Sequence, residues 1–308
     1  MKNSNNLMNH NNKKTILIVG PTAVGKTTLS IKLAEKLNTE IISCDSRQFY
    51  KELKIGTSPP SSNDLLKIKH HFIHNRSITQ EYNAGLFEID VIQVIEQLYQ
   101  TYDTIIVVGG SGLYVDAICK GFDTLPKVSK KTREQLTMEY QKKGIDWLQK
   151  KVKNADPNLY ANCDKKNPQR LLRALEIFQE TGKKLSSFKS NTIKKRPFEI
   201  IKIGLNINRK MLYDQINQRV DMMIEDGLIE EVRSLLKFQN INALKTVGYQ
   251  EVFEYLNGQC TLQDAVRNIK KNTRRFAKRQ LTWFKKDREI KWFEPHDLTK
   301  IERLISKL

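Results

Sequence analysis

Acidic residues are scarce in this chain: 34 Asp and Glu stand against 53 Lys and Arg, a formal net charge of +19. A deficit of that size argues against a cationic partner and for a polyanionic one. A Lys-rich genome composition accounts for part of the excess, but not for its clustering. Cysteine is also scarce. Cys44, Cys119, Cys163 and Cys260 are scattered without paired spacing, which argues against a disulfide framework or a zinc site and suggests a reducing compartment. No apolar run reaches transmembrane length. The first residues, MKNSNNLMNHNNKK, are Asn-rich and have no apolar core, so they do not read as a secretory signal. We expect residues 1–13 to form a disordered tail and the protein to be cytoplasmic.

Against these absences stands GPTAVGKTTLS, from Gly20 to Ser30. KTILIV before it reads as a buried strand. After it, Leu29, Leu33 and Leu37 lie on one face of a helix. The spacing between them is that of a P-loop, with Gly20, Pro21, Thr22, Ala23, Val24, Gly25, Lys26 and Thr27 as its members. Glycines let successive backbone N–H groups turn inward on an anion, and the helix adds its positive end. Lys26 contributes a mobile charge, and the Thr27 hydroxyl can ligate Mg²⁺. The pattern specifies phosphate but not what carries it.

The chain's 308 residues suffice for one large domain or two smaller ones. Further apolar runs, TEIISC, TIIVV and FEIIKIGLNI, alternate with helical patterns. The expected fold class is therefore α/β, a parallel sheet flanked by helices. Ligands of such sheets bind at the carboxyl ends of the strands. The P-loop, Asp45 and Ser111 should share one crevice. Residues 122–197 show no strand pattern and are strongly basic, so an all-helical insertion is expected there, with the core formed by 14–121 and 198–308. In the insertion, Asn167 suits an N-cap, Pro168 the first helical position and Gly182 the stop. Gln169, Arg170 and Arg173 share a face. An exposed basic face without further function is the competing explanation.

Asn208 is placed to cap a later helix whose apolar stripe runs through Leu212 and Ile216, and Arg219 interrupts that stripe. An arginine there is costly unless it meets an anion. It is a candidate phosphate clamp, with a structural ion pair as the competing reading. From Arg267 to Lys291 the last long helical pattern holds eleven basic and two acidic residues, with Phe276, Trp283 and Phe284 interleaved. Basic and aromatic residues together suit nucleic acid, although the aromatics also continue a core stripe. HHFIH, from His70 to His74, lacks a zinc-binding pattern and is expected to be loop or packing histidines.

One further absence narrows the chemistry. P-loop motors and GTPases place an acid at the end of a second apolar strand to hold Mg²⁺. Here the third apolar run ends in Gly-Gly-Ser-Gly. The acid at a strand end in this crevice is Asp45, which could assist Mg²⁺ or take a proton from a nucleophile.

The ordered series GPTAVGKT, SCDSRQFYKELKIGTSPP, VGGSGLY, NPQRLLRALEI, INQRVDMMIEDGLIEEV, LKTVGYQE and AKRQLTWFKKD resembles the tRNA dimethylallyltransferases, which are P-loop isopentenyltransferases. The likeness spans nearly everything beyond the tail. It implies a P-loop NTPase-like fold with a tRNA-binding helical insertion. It implies transfer of a dimethylallyl group from dimethylallyl diphosphate to N6 of adenosine 37, in the anticodon stem-loop of tRNAs that read codons beginning with U. By the same resemblance, Thr22 to Thr27 hold the diphosphate, Thr27 binds Mg²⁺, Asp45 is the general base and Arg219 stabilises the leaving group. Asp45, Ser46, Arg47, Gln48, Ser111, Arg133, Gln169, Arg170, Leu171, Leu172 and Arg173 contact tRNA. So do Lys245, Thr246, Val247, Gly248, Tyr249 and Gln250. Nothing here resembles the zinc finger added in eukaryotic members, and a monomer is expected. A kinase of small molecules, an isopentenyltransferase acting on free adenine nucleotides and a non-catalytic RNA-binding protein are the alternatives.

Overall fold

The computed structural model describes residues 13–190 and 192–306. The tail expected over 1–13 lies outside them except for Lys13, whose ammonium pairs with Asp103 at 2.7 Å. The strands are β1 (Lys14–Val19), β2 (Ile41–Ser43), β3 (His70–His71), β4 (Thr104–Gly109), β5 (Glu199–Leu205) and β6 (Lys291–Phe293). They form one parallel sheet in the order β3-β2-β4-β1-β5-β6. Central β1 pairs Ile16 with Ile106 on one side and Ile201 on the other. Its residues from Ile16 to Val19 are fully buried, as expected of a parallel strand covered on both faces.

Two strands escape sequence reading. β3 has 2 residues and β6 has 3, too few to show a period. His70 and His71 are therefore strand, not loop. The last long helix also ends earlier than its basic pattern suggests, at Phe284, with β6 following it.

The helices are α1 (Lys26–Leu37), α2 (Ser62–Lys67), α3 (Ala84–Leu98), α4 (Gly112–Cys119), α5 (Lys130–Ala155), α6 (Pro157–Asn162), α7 (Pro168–Thr181), α8 (Arg209–Glu225), α9 (Leu228–Ser234), α10 (Tyr249–Leu256), α11 (Leu262–Phe284) and α12 (Leu298–Ser306). The caps follow the local chemistry. Asn167 accepts from the Arg170 amide, with Pro168 in the first turn and Gly182 left-handed at the stop. Asn208 accepts from the Lys210 amide at the head of α8.

The chain divides into two units, Met1–Lys120 with Lys195–Leu308, and Gly121–Lys194. The first unit contains the sheet. One side of its core joins β1 and β5 to α1, α8 and α12 through Ile16, Ile203, Leu33, Ile216 and Ile301. The second unit is helical, with α5 packed on α6 and α7. Its own core contains Leu148, Val152, Leu171, Leu172, Leu175 and Ile177. Asp156 pins this unit. Its carboxylate accepts from the amides of Leu159 and Ser186 and from the Ser186 hydroxyl, at 3.1, 2.8 and 2.7 Å. Burial works against its ionisation, but the Ser186 and Leu159 bonds outweigh burial and hold the carboxyl below its ordinary range.

Asp156→Ala should leave those donors unsatisfied and cost about 1–3 kcal/mol. Urea unfolding should show the loss as a lower midpoint. Because the folded value is depressed, this contribution is present above the ordinary carboxylate range and disappears as pH falls through the folded value. The gap to the parent should close in acid.

Candidate active site

The carboxyl ends of β1, β2 and β4 lead into one polar cleft. Thr22, Lys26, Thr27, Asp45, Gln48 and Arg219 line it, with Gly110, Phe276 and Gln280. At its floor the P-loop leaves β1 through Gly20, where φ is +152° and an added Cβ would come within 2.6 Å of the Leu205 carbonyl oxygen. Glycine is required there by both backbone and space. Gly25, also left-handed at φ 95°, starts α1. Between them Ala23 takes φ 66°, a conformation that costs a non-glycine residue roughly 1–2 kcal/mol and belongs to anion-binding nests.

Two cations face this loop. The Lys26 ammonium donates to the Pro21 carbonyl at 2.7 Å. Arg219 reaches in from α8. Its Nε donates to Ser58 Oγ at 2.7 Å, Nη1 to Thr22 Oγ1 at 3.1 Å and Nη2 to the Ser58 carbonyl at 3.4 Å. Every one of these acceptors is a neutral oxygen. A structural ion pair therefore does not account for Arg219 among the described residues. Burial first, and then the Arg219 charge, lower the Lys26 pKa to about 8, against the pull of Asp45 and Cys44. Burial also lowers that of Arg219, with Asp45 opposing. The cleft thus carries positive charge that the protein leaves incompletely neutralised.

Asp45 lies just beyond β2. Its Oδ1 accepts from the amides of Arg47 and Gln48 at 2.8 and 3.3 Å, a turn that aims the carboxylate from its own backbone. The Ser46 amide donates to Ser111 Oγ at 2.9 Å, which ties the turn after β2 to the one after β4. Gln48 lines the cleft with its side-chain amide bonded within the protein. Its Oε1 accepts from the Ser43 hydroxyl at 3.0 Å, and its Nε2 donates to the carbonyls of Thr57 and Ser58 at 3.3 and 3.1 Å.

Gln280 is a site residue that sequence reasoning missed. From α11 its Oε1 accepts from the Thr22 amide at 2.8 Å, and its Nε2 donates to the Gly110 carbonyl at 2.9 Å. A Cβ on Gly110 would lie 2.2 Å from that nitrogen, so the Gly-Gly turn admits the glutamine. Its i, i+4 relation to Phe276, a half-exposed neighbour in the cleft, was the available signal. The aromatics of α11 divide: Phe284 is in the core, whereas Phe276 and Trp283 remain 37% and 42% exposed. Trp283 packs over Gly112.

The other expected contact residues also divide by burial. In the helical unit Gln169 and Arg170 are exposed. Arg173 is bonded to Glu176 at 3.2 Å and to the Pro126 carbonyl at 3.4 Å, and Arg133 lies 3.9 Å from Glu176. Leu171 and Leu172 cannot be side-chain contacts, because they are core residues on the inner face of α7. In the Lys245–Gln250 stretch, Lys245 and Gln250 are exposed and Thr246 and Val247 half-exposed. Gly248 and Tyr249 are corrected likewise: both are buried. Gly248 is held at φ 96° by the Glu251 carboxylate, which accepts from its amide at 2.8 Å.

The donor set suits a hard cation completed by a ligand. Among the described residues no group of three or more His, Cys, Asp or Glu side chains could hold a metal alone. The Thr27 hydroxyl and Asp45 carboxylate do line the cleft. Mg²⁺ characteristically takes few protein oxygens together with phosphate oxygens and water, and these residues fit that pattern.

A diphosphate monoester, fully ionised above about pH 7, should bind up to tenfold more weakly per pH unit as pH rises above 8, because the deprotonated Lys26 amine no longer adds its charge to that of Arg219. Titration calorimetry across pH should show this, with proton uptake near pH 8. Lys26→Arg should flatten the profile.

The comparisons with known proteins agree with this geometry. The family model for IPP transferase matches residues 48–287. A tRNA dimethylallyltransferase from Christiangramia forsetii is 53% identical over 279 residues, covering 91% of this chain and 92% of that one. A tRNA dimethylallyltransferase 1 from Phocaeicola vulgatus is 47% identical over 290 residues, covering 94% and 97%. Among solved structures, the full-length tRNA isopentenylpyrophosphate transferase of Bacillus halodurans superposes with a TM-score of 0.71 at 34% identity, covering 96% of each chain. A eukaryotic dimethylallyltransferase acting on tRNA superposes with a TM-score of 0.76 at 28% identity, covering 93% of this chain and 75% of that one. With its P-loop, strand-end aspartate and unpaired arginine in one cleft, the chain belongs to the IPP transferase family.

Proposed function

We infer that this chain is a tRNA dimethylallyltransferase. It transfers the dimethylallyl group of dimethylallyl diphosphate to N6 of adenosine 37 in tRNAs that read codons beginning with U, and releases diphosphate. The observation that carries the chemistry is the pairing of Lys26 and Arg219 at the P-loop with neutral acceptors. Two cations held without a carboxylate ion pair are suited to an anion that arrives from solution and leaves with added charge.

In the reaction the bond between C1 of the donor and its diphosphate oxygen breaks, and a bond from adenine N6 to C1 forms. Lys26, Arg219 and the N–H groups of Ala23 to Thr27 meet the charge that develops on the leaving oxygens, the Thr22 amide being committed to Gln280. The N6 proton passes to Asp45, whose turn directs its carboxylate into the cleft. Mg²⁺ held by Thr27 and the diphosphate oxygens would add Lewis-acid charge stabilisation when bound. Adenosine 37 must leave the anticodon-loop stack to reach this depth. We assign Ser46, Arg47, Ser111 and exposed Lys245 and Gln250 of the sheet unit to RNA contacts, and, in the helical unit, exposed Gln169 and Arg170 with Arg133 and Arg173. The +19 charge supports such a partner. The enzyme is read as a cytoplasmic monomer; among the described residues no helix is long and apolar enough to cross a membrane.

Incubation with labelled dimethylallyl diphosphate and either unmodified tRNA or AMP should place label in tRNA at position 37. Transfer to AMP alone identifies the free-nucleotide isopentenyltransferase instead. Phosphate transfer from ATP without prenyl transfer identifies a kinase.

Asp45→Ala should leave tRNA affinity unchanged and lower the single-turnover rate by roughly 10²–10⁴-fold, the ordinary range of a general base. A single-turnover rate equal to the parent's removes Asp45 from the chemistry.

A further inference from the structure

The segment that holds Arg219 has little regular structure of its own. Leu53 to Pro60 contains neither helix nor strand, yet Ser58 supplies two of the three oxygens that grip the guanidinium. Ser58 also sits at φ 43°, a left-handed conformation that a non-glycine residue keeps only when its surroundings impose it. Something outside the segment must fix it.

Part of the restraint is Gln48, described above, and part is the Thr57 hydroxyl, which donates to the Leu53 carbonyl at 2.7 Å. The rest comes from α9. Glu231 Oε2 accepts from the amides of Lys54 and Ile55 at 2.9 and 2.7 Å, and its Oε1 accepts from the Gly56 amide at 3.1 Å. These are successive backbone N–H groups closed around an anion, the arrangement that elsewhere binds phosphate. Here the protein supplies the anion itself. Oε1 also accepts from the Tyr249 hydroxyl at 2.6 Å. Tyr249 is fully buried, and its ring lies so close to Gly56 that a Cβ there would come within 2.5 Å. Burial and then the Glu231 charge push the phenol well above its ordinary range, so it remains a donor. Glu231 therefore has four neutral donors from two directions: three from the segment and one from the head of α10.

We propose that Glu231 is a positioning residue of the diphosphate clamp: by gathering the amides of Lys54 to Gly56 against Tyr249 it sets Ser58, and Ser58 sets Arg219. The inference rests on the reading of Arg219 as the group that meets the leaving diphosphate. Its consequence is selective. A carboxylate that acted only on the fold would lower stability and affect both substrates alike. One that acts through Ser58 affects the donor.

Steady-state kinetics of the full chain with dimethylallyl diphosphate and unmodified tRNA, together with thermal unfolding, test this. Glu231→Gln keeps the shape but weakens the charge-assisted bonds. It should lower kcat/KM for the donor roughly tenfold, with KM for tRNA within about twofold of the parent. Tyr249→Phe removes one donor and should produce a smaller loss of the same selectivity, so the proposal stays testable if the glutamine variant folds poorly. Because the path runs through Ser58, Glu231→Gln added to Ser58→Ala should cost little beyond Ser58→Ala alone. Arg219→Gln separates the two levels. If it leaves kcat/KM for the donor unchanged, the reading of Arg219 fails. If it lowers that value while Glu231→Gln and Tyr249→Phe leave kcat/KM for the donor at the parent's value or raise KM for tRNA by as much as they lower it, or while Glu231→Gln and Ser58→Ala are additive, the positioning role fails.

Discussion

The structure turns on holding two positive groups, Lys26 and Arg219, together in a partly desolvated cleft without pairing either to a carboxylate. Burial first, and then the Arg219 charge, lower the Lys26 pKa. Folding alone disfavours such a pair, because a buried charge needs compensation. The protein answers with neutral oxygens, from Pro21 for the lysine and from Thr22 and Ser58 for the arginine. It sets Asp45 near enough for its field to offset both cations in part. On the proposed reading, the ligand anion supplies the remaining compensation.

That arrangement explains why distant parts of the chain converge on the carboxyl edge of the sheet. β1 brings the P-loop, β2 brings Asp45, β4 brings the Gly-Gly turn and α8 brings Arg219. Gln280 joins two of these by bonding the Thr22 amide and the Gly110 carbonyl. An apolar residue at 280 would remove the partner of both groups, at a cost comparable to a lost hydrogen bond for each. The basic, aromatic-bearing α11 therefore also serves the P-loop, and its sequence pattern concealed that role.

What was legible in the sequence was what is local. The P-loop needs only eight consecutive residues, and Asp45 needs only the end of one apolar run. Arg219 was visible because a charge interrupting an apolar stripe requires an explanation. The caps at Asn167 and Asn208 follow from one side chain and the next turn. Partnerships across long stretches were not legible. Thr22 and Gln280 are 258 residues apart, and Arg219 and Ser58 are 161 apart, so no window of sequence contains both members. β3 and β6 were lost for the opposite reason: each is too short to carry a pattern. Leu171, Leu172 and Tyr249 were misassigned because a resemblance carries over whole segments, whereas a helix presents only part of each segment to a ligand. The inward faces of α7 and α10 belong to their own cores.

The same geometry bears on why an amine rather than water should receive the prenyl group. An allylic carbon losing diphosphate is electrophilic toward any nucleophile, and water is abundant. A base that merely activated water would favour hydrolysis. Asp45 is held by the amides of Arg47 and Gln48, and Gln48 is in turn locked to the Thr57 and Ser58 carbonyls that border Arg219. The carboxylate and the anion clamp are thus fixed to one another through a single glutamine. On the proposed reading, a planar amine presented at one angle shares that geometry, whereas a mobile water gains no advantage from it. On the same reading, selectivity for the acceptor follows from proximity and orientation, with Asp45 contributing as base when a correctly placed N6 arrives.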